Sequence, residues 1–218
     1  ALKLFSPALS ADFIAVYSPR WQELARKLGE VRDWDVFLAE TLTPLEKGFP
    51  DNPDLAWLRT RALARRSVAS VNASRALAQQ AYSQLLLAFS AALFRETAPT
   101  ISASSKKWNK IEIRRFAVER LRKRWARVDS LCHAQGGMLF EYCHELRIEF
   151  KRLRYALEFF EPILPSKRFE TYQVVVENIQ ELLGTLNDHA TAVQLVSELH
   201  PERVLNPLVD GWIAGRVD

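Results

Sequence analysis

Four side chains that can carry positive charge recur at helical spacing in one segment of the sequence: His144, Arg147, Lys151 and Arg154. At about 100° per residue they lie within an arc of about 80°, and at about 1.5 Å per residue they extend over roughly 15 Å of helix. Arginine stays charged and forms bidentate bonds with phosphate oxygens, whereas lysine acts as a point charge. A stripe of this length predicts binding of several successive anionic groups.

The alternative for this stripe is a solvated helix face whose cations pair with local glutamates. Glu145, Glu149 and Glu158 are close enough in sequence to do so. The placement of four cation-capable residues on one narrow face favours anion binding over this alternative. A separate stripe of apolar residues is expected to pack on neighbouring helices: Leu146, Phe150, Leu153, Leu157 and Phe160.

A second concentration of positive charge lies between Lys106 and Arg127. This segment holds ten of the 30 basic residues against two acidic ones, although the net charge of the chain is only +4. Basic patches attract nucleic acid, polyphosphates or acidic membranes. The segment therefore supports an alternative function, nucleic-acid binding by this helix, although its aromatic residues are expected to lie in the core.

The predicted helix of this segment has a buried stripe formed by Ala117, Leu121, Trp125 and Val128. Lys110 and Arg114 share the angular position of that stripe. Since lysine and arginine seldom lie fully buried without partners, we expect both to face an internal polar channel, with an end that projects beyond the core as the alternative. Four further cations are expected to lie in solvent: Arg115, Arg120, Arg122 and Lys123.

The composition and the positions of the prolines indicate an all-α fold. The chain has only 7 glycines and is rich in Ala, Leu, Arg and Glu, which lose little side-chain freedom in helices. Prolines fall between apolar stretches of helical period, and no segment alternates as a half-buried strand does. Helices are predicted at 10–28, 32–47, 54–70, 73–96, 108–130, 139–161, 167–185, 188–199 and 203–214.

An internal repeat organises these helices. The segment 1–7 resembles 156–162, and 28–33 resembles 183–188, in both cases at an offset of 155 residues. The repeat predicts one domain over 1–218 made of two related halves, about 1–135 and 136–218, in pseudo-symmetric arrangement. The first half lacks a counterpart of the His144 stripe, so we expect the helix at Ala1 to lack its first turns and a His- and Arg-rich stretch to precede it.

The equivalent positions Asp33 and Asp188 are expected to cap a helix start or to orient an arginine, and the equivalent glycines Gly29 and Gly184 to permit a helix ending or a close contact. Each cysteine, Cys132 and Cys143, is followed by histidine, but their spacing is unlike that of zinc ligands. We therefore expect free cysteines, a reducing compartment and no metal or cofactor.

The run from His144 to Phe160 resembles the signature motif of the CHAD family of α-helical domains. The segment 182–188 resembles a second element of that family, 28–33 resembles its first-half twin, and Ser74-Arg75 resembles a weaker element. The resemblance implies two four-helix bundles around a basic central groove that binds inorganic polyphosphate. It implies that the His144 stripe lines this groove, and it adds the motif residues Arg152, Arg75 and Arg32 to the expected site.

These observations predict a non-catalytic polyphosphate-binding module. A phosphate-transferring enzyme is disfavoured, because the sequence has neither a phosphate-cradling glycine loop nor clustered carboxylates for metal ions. The resemblance also implies a CYTH domain, which processes triphosphates, upstream in the same polypeptide. We expect a cytoplasmic location, at polyphosphate granules in one version of the hypothesis, and no membrane span, since the longest apolar run is short.

Overall fold

The structure, a computed structural model, describes residues 2–96, 112–133, 140–164 and 167–199, together with Gly211 and Ile213. No strand occurs in these ranges, which confirms the prediction of an all-α fold. The helices are α1 Leu2–Phe5, α2 Ala11–Val36, α3 Thr43–Gly48, α4 Pro53–Ala78, α5 Gln80–Glu96, α6 Ile113–Cys132, α7 Phe140–Phe160 and α8 Lys167–Leu199. A π-helical segment, Phe37–Leu42, joins α2 to α3, and short 3-10 helices at Ser6–Ala8 and Glu161–Ile163 follow α1 and α7.

The structure corrects several predicted helix ends. Helix α2 continues through Gly29, helix α8 continues through Gly184, and α4 passes the break predicted after residue 70. A Cβ atom added at either glycine would meet nothing within 4 Å, so neither permits a turn or a close contact. An internal glycine costs a helix only about 1 kcal/mol, which packing along a long helix outweighs. Most of the predicted helix 203–214 and the start of 108–130 lie outside the described residues.

The capping role expected of Asp33 and Asp188 is also wrong. Both residues lie inside helices and not in a first turn, where a carboxylate could meet free backbone N–H groups. The helix starts use other residues. Asn52 caps α4 through its side-chain oxygen, which accepts a hydrogen bond from the Asp54 amide at 2.9 Å, and Pro53 follows at the first helical position.

The repeat is visible in local structure at the same offset of 155 residues. The 3-10 turn Ser6–Ala8 corresponds to Glu161–Ile163, and each follows an α-helix that ends in phenylalanine. The preceding residues have nearly the same backbone angles, φ −94° and ψ 2° at Phe5 and φ −99° and ψ 1° at Phe160. The repeated sequence therefore forms the same helix ending twice, while the pseudo-symmetric halves and the central groove stay predictions.

Two compact units divide the chain differently from the sequence halves. The first unit consists of Ala1–Ser18 and Leu87–Gly184, and the second of Pro19–Leu86 and Thr185–Asp218. Each unit therefore takes residues from both halves of the sequence. None of the helices within the described ranges combines the length and the apolar character that crossing a membrane requires.

The core of the first unit lies along α6 and α7. One cluster consists of Val128, Phe150, Leu153, Leu157, Phe169 and Val176. A second consists of Leu4, Phe116, Ala117, Ala156 and Phe160. The C-terminal end of α5 is joined to the start of α2, because the Glu96 carboxylate accepts hydrogen bonds from the Ser10 amide at 2.8 Å and from the Ser10 hydroxyl at 2.6 Å.

The core of the second unit surrounds the π-helical segment. Its fully buried side chains include Phe37, Leu42, Leu45, Leu55 and Leu58. At its edge Arg59 of α4 donates two hydrogen bonds of 2.5 Å to Glu46 of α3 and one of 3.1 Å to the Thr43 hydroxyl. The bonds to Glu46 raise the pKa of Arg59.

Candidate functional site

Helix α7 buries one face and presents the cationic stripe on another. Phe150, Leu153, Leu157 and Phe160 lie in the core of the first unit, as their helical spacing predicts. The stripe formed by His144, Arg147, Lys151 and Arg154, called the ridge below, lies outside that core. His144 is exposed, and the three residues that follow it on the ridge are partly buried.

Two of the three glutamates that could neutralise the ridge are engaged elsewhere. Glu145 accepts a hydrogen bond of 2.5 Å from Arg127 of α6. Glu149, only 5% exposed, accepts a hydrogen bond from Arg152 and lies 3.6 Å from Arg124 of α6. Helix α6 therefore draws these carboxylates to the side of α7 that faces it and away from the ridge.

The third glutamate does contact the ridge. Glu158 lies 3.3 Å from the Arg154 Nε atom, in a geometry that makes an ion pair but not a hydrogen bond. Arg147 and Lys151 form no ion pair with any residue in the described part of the chain. Among the described residues, the ridge thus keeps positive charge at its centre, and Glu158 offsets the charge of Arg154 at its C-terminal end.

An aromatic ring organises two of the ridge cations. The Lys151 Nζ atom lies 5.8 Å from the centroid of the Tyr155 ring, and the Arg154 guanidinium carbon lies 5.2 Å from it. A ring attracts cations through its quadrupole and carries no net charge. Tyr155 therefore restrains these side chains without cancelling the charge that an anion would meet.

The other predicted site residues of the first unit lie apart from the ridge. Arg152 projects from α7 about 120° away from the ridge centre, and it bonds Glu149. Arg114 is exposed in the first turn of α6. Lys110 lies outside the described residues. The structure therefore brings together four of these predicted residues, the ridge itself.

Arg75 and Arg32 belong to the second unit. Arg75, on α4, is exposed and lines a cavity of about 240 Å³ together with Arg26 and Lys27 of α2. Glu23 pairs with Arg26 at 3.0 Å and with Lys27 at 3.6 Å, whereas Arg75 has no ion pair among the described residues. Arg32 is exposed on α2.

Two assignments on α6 were wrong. Arg120, expected in solvent, is only 8% exposed, and Trp125, expected in the core, is 50% exposed. The helical positions explain both, since Arg120 follows the buried Ala117 by three residues while Trp125 lies at the edge of the apolar stripe. Burial lowers the pKa of Arg120, and the charge of Arg124 lowers it further. The burial of Arg120 and Arg124 was therefore not predicted. Their spacing from Ala117 and Val128 nevertheless places both beside the buried stripe.

The described residues hold no group of three or more His, Cys, Asp or Glu side chains arranged to bind a metal ion. Cys132 and Cys143 are free thiols. The side chain of His133 is exposed and contacts the backbone and carboxylate of Asp129.

Comparisons with known proteins identify the family. The model of the CHAD domain family matches residues 1–197. The crystal structure of the CHAD domain from the plant Ricinus communis is similar, with a TM-score of 0.72 and 27% sequence identity over 99% of this chain and 68% of that chain. No curated protein matches the sequence. The family match and the motifs around His144 and Gly184 agree, and the chain belongs to the CHAD domain family.

Proposed function

We propose that this domain binds inorganic polyphosphate without catalysis, through the ridge on α7. The observation that carries the proposal is the distribution of glutamates around α7. On the side that faces α6, Arg127 pairs with Glu145. Glu149 pairs with both Arg124 and Arg152. Positive charge at Arg147 and Lys151 is therefore left for an external anion.

The geometry of the ridge suits a chain of phosphates better than a single ion. Its cations extend over roughly 15 Å at about 1.5 Å per residue, and arginine and lysine both bind phosphoryl oxygens. Successive phosphoryl groups could thus meet successive turns of one helix.

The test of this proposal removes Arg147 and Lys151, the two ridge cations that form no ion pair with a described residue. We expect Arg147→Gln combined with Lys151→Gln to weaken polyphosphate binding at least about tenfold, since each charge-assisted bond contributes more than a neutral one. Isothermal titration calorimetry with polyphosphate of defined length measures the affinity. The two side chains lie outside the core, so the unfolding midpoint should change little.

A matched double variant distinguishes the loss of ridge cations from a general loss of positive charge. Arg115→Gln combined with Lys123→Gln removes two positive charges from exposed positions on α6. We expect it to weaken polyphosphate binding by less than about threefold in physiological salt, where screening limits distant charges. Equal losses in the two double variants would refute the ridge as the binding site.

Two further assays address catalysis of polyphosphate hydrolysis and competition by DNA. We expect no release of phosphate from polyphosphate by this chain in the presence of magnesium, and measurable release would refute the non-catalytic assignment. DNA that displaces polyphosphate at equal phosphate concentration would favour the nucleic-acid alternative instead. The comparison is informative because both polymers share the electrostatic, salt-dependent contribution to binding.

We further propose that the domain acts in the cytoplasm, as a polyphosphate-binding accessory to a CYTH domain in the same polypeptide or as a targeting module for polyphosphate granules. The free thiols Cys132 and Cys143 are consistent with a reducing compartment. The residues upstream of Ala1 test the first version, and fluorescence imaging of the tagged domain in cells with and without granules tests the second. A domain that stays diffuse in granule-containing cells would contradict the targeting role.

A further inference from the structure

A cavity of about 440 Å³ lies beside the ridge, and Tyr155 and Glu158, which contact the ridge cations, belong to its lining. It belongs to the first unit and lies among α1, α6 and α7. Three cations line it, Lys3, Arg124 and Arg152, together with one acid, Glu158, which pairs with Arg154 of the ridge. The cavity has the size of sites that hold small-molecule ligands, about 300–1,000 Å³.

The charges around this cavity are not balanced within the described residues. Arg124 and Arg152 share a single carboxylate, that of the buried Glu149. One helical turn before Arg124 lies Arg120, which is more than nine-tenths buried and has no hydrogen bond or ion pair with a described residue. Arg124 and Arg152 thus share one buried carboxylate, and the neighbouring Arg120 interacts with the charge of Glu119 without forming an ion pair with a described residue.

Arg120 is costly where it lies. A buried polar group without a partner carries a free-energy penalty, and a buried charge carries a larger one. Burial and the nearby charge of Arg124 both lower the pKa of Arg120. An anion placed beside Arg124 would supply the missing counter-charge and would offset this cost.

The rest of the cavity wall consists of apolar and aromatic side chains, including the ring of Tyr155. Leu4, Ala156 and Phe159 line it, and the ring of Phe159 is half exposed although it contacts the Phe5 ring edge to face at 4.9 Å. A polyphosphate chain would leave such a wall without a partner. An aromatic base, by contrast, gains from stacking on an exposed ring.

We propose that this cavity binds a compact phosphorylated molecule that carries an aromatic ring, of mononucleotide size. The phosphoryl groups bind Arg124, Arg152 and Lys3, with Arg120 behind them, and the ring packs on Phe159. The site adjoins the ridge, with which it shares Tyr155 and Glu158, but its phosphate ligands are other cations, and the proposal does not depend on polyphosphate binding at the ridge.

Calorimetric titration with ATP, with tripolyphosphate and with adenosine tests the proposal. ATP carries both the phosphates and the ring, so we expect it to bind at least about tenfold more tightly than either part alone. Tripolyphosphate that binds as tightly as ATP, or no binding of ATP at millimolar concentration, would overturn the assignment.

Arg120→Met supplies a second measurement that a purely structural role would not reproduce. We expect this variant to lose about tenfold in ATP affinity, the effect of one charge-assisted contact, while its ligand-free unfolding temperature rises because an unpaired buried charge is gone. Lys123→Gln, an exposed charge on the same helix, should leave both quantities unchanged. Unaltered ATP affinity in Arg120→Met, or a fall in its unfolding temperature, would contradict the proposal, whereas polyphosphate binding at the ridge should persist in either case.

Discussion

The two cationic sides of α7 differ in what holds their charges. On the side that faces α6, a carboxylate buried at Glu149 holds Arg124 and Arg152. On the ridge, the ring of Tyr155 holds Lys151 and Arg154, and Arg147 has no acidic partner in the described structure. Residues of one chemical type thus share a buried carboxylate on one side of a helix, while on the other side Arg147 meets no acidic partner among the described residues.

The comparison shows why counting charges in a sequence does not locate a binding surface. Arg152 and Lys151 are adjacent in the chain, yet only Arg152 bonds a glutamate. The deciding factor is the neighbouring helix, because α6 supplies the arginines that compete for Glu145 and Glu149. Binding capacity on one face of α7 therefore depends on pairing on the other.

The largest effect should come from removing the buried carboxylate of Glu149, which Arg124 and Arg152 share. We expect Glu149→Gln to lower the free energy of unfolding by about 3 kcal/mol, because removing one partner of a buried ionic cluster leaves its charges uncompensated. Urea unfolding followed by circular dichroism measures the change. Polyphosphate affinity at the ridge should remain within about twofold under native conditions, since the ridge cations lie on the other side of the helix.

Glu145→Gln is the matched control for this variant. Glu145 lies one turn earlier on α7 and pairs with Arg127, but both side chains are about half exposed. Pairs of that kind contribute little, so we expect a loss below about 0.5 kcal/mol. Similar losses in the two glutamine variants would show that burial of Glu149 does not distinguish the internal side of α7.

The second effect sharpens the ridge side of the comparison. Glu158→Gln removes the carboxylate that contacts the ridge, and this frees Arg154 to meet an anion. We expect polyphosphate to bind about three- to tenfold more tightly at low salt, with the gain shrinking as salt is added. Glu161→Gln removes one charge from an exposed position nearby, and an equal gain there would mean that net charge alone is responsible.

The smallest effect concerns the ring that organises the ridge. We expect Tyr155→Leu to weaken polyphosphate binding by about two- to fivefold, the range of a partly exposed cation–π contact, because Lys151 and Arg154 lose the surface that restrains them. Tyr155→Phe keeps the ring and should bind like the unaltered protein. A loss of equal size in Tyr155→Phe would point to the hydroxyl group instead.

The sequence predicted much of this fold because its signals are local. Helical periodicity identified the buried face of α7, at Phe150, Leu153, Leu157 and Phe160, and the repeat identified two helix endings of the same form. The breaks at Gly29 and Gly184 were wrong because a glycine weakens a helix only slightly, and the packing that offsets this loss involves residues distant in the chain.

The pairing of charges could not be predicted in the same way. Glu145 and Glu149 lie at spacings that would allow contact with neighbours on α7, and the choice of arginines on α6 follows from how the two helices pack. Arg120 shows the same limit, since its burial depends on α6 contacting residues far away in sequence. A helical wheel gives the direction of each side chain and leaves its partner undetermined.

The salt dependence of polyphosphate binding tests the central claim most directly. Each cation that contacts the polyanion releases counterions, so the slope of log Kobs against log salt reports how many cations make contact. For the Arg147→Gln, Lys151→Gln variant we expect a slope smaller in magnitude by about 1.4 than that of the unaltered protein, the value for two lost contacts to a single-stranded polyanion. An unchanged slope would mean that neither cation touches the chain, and it would contradict the account.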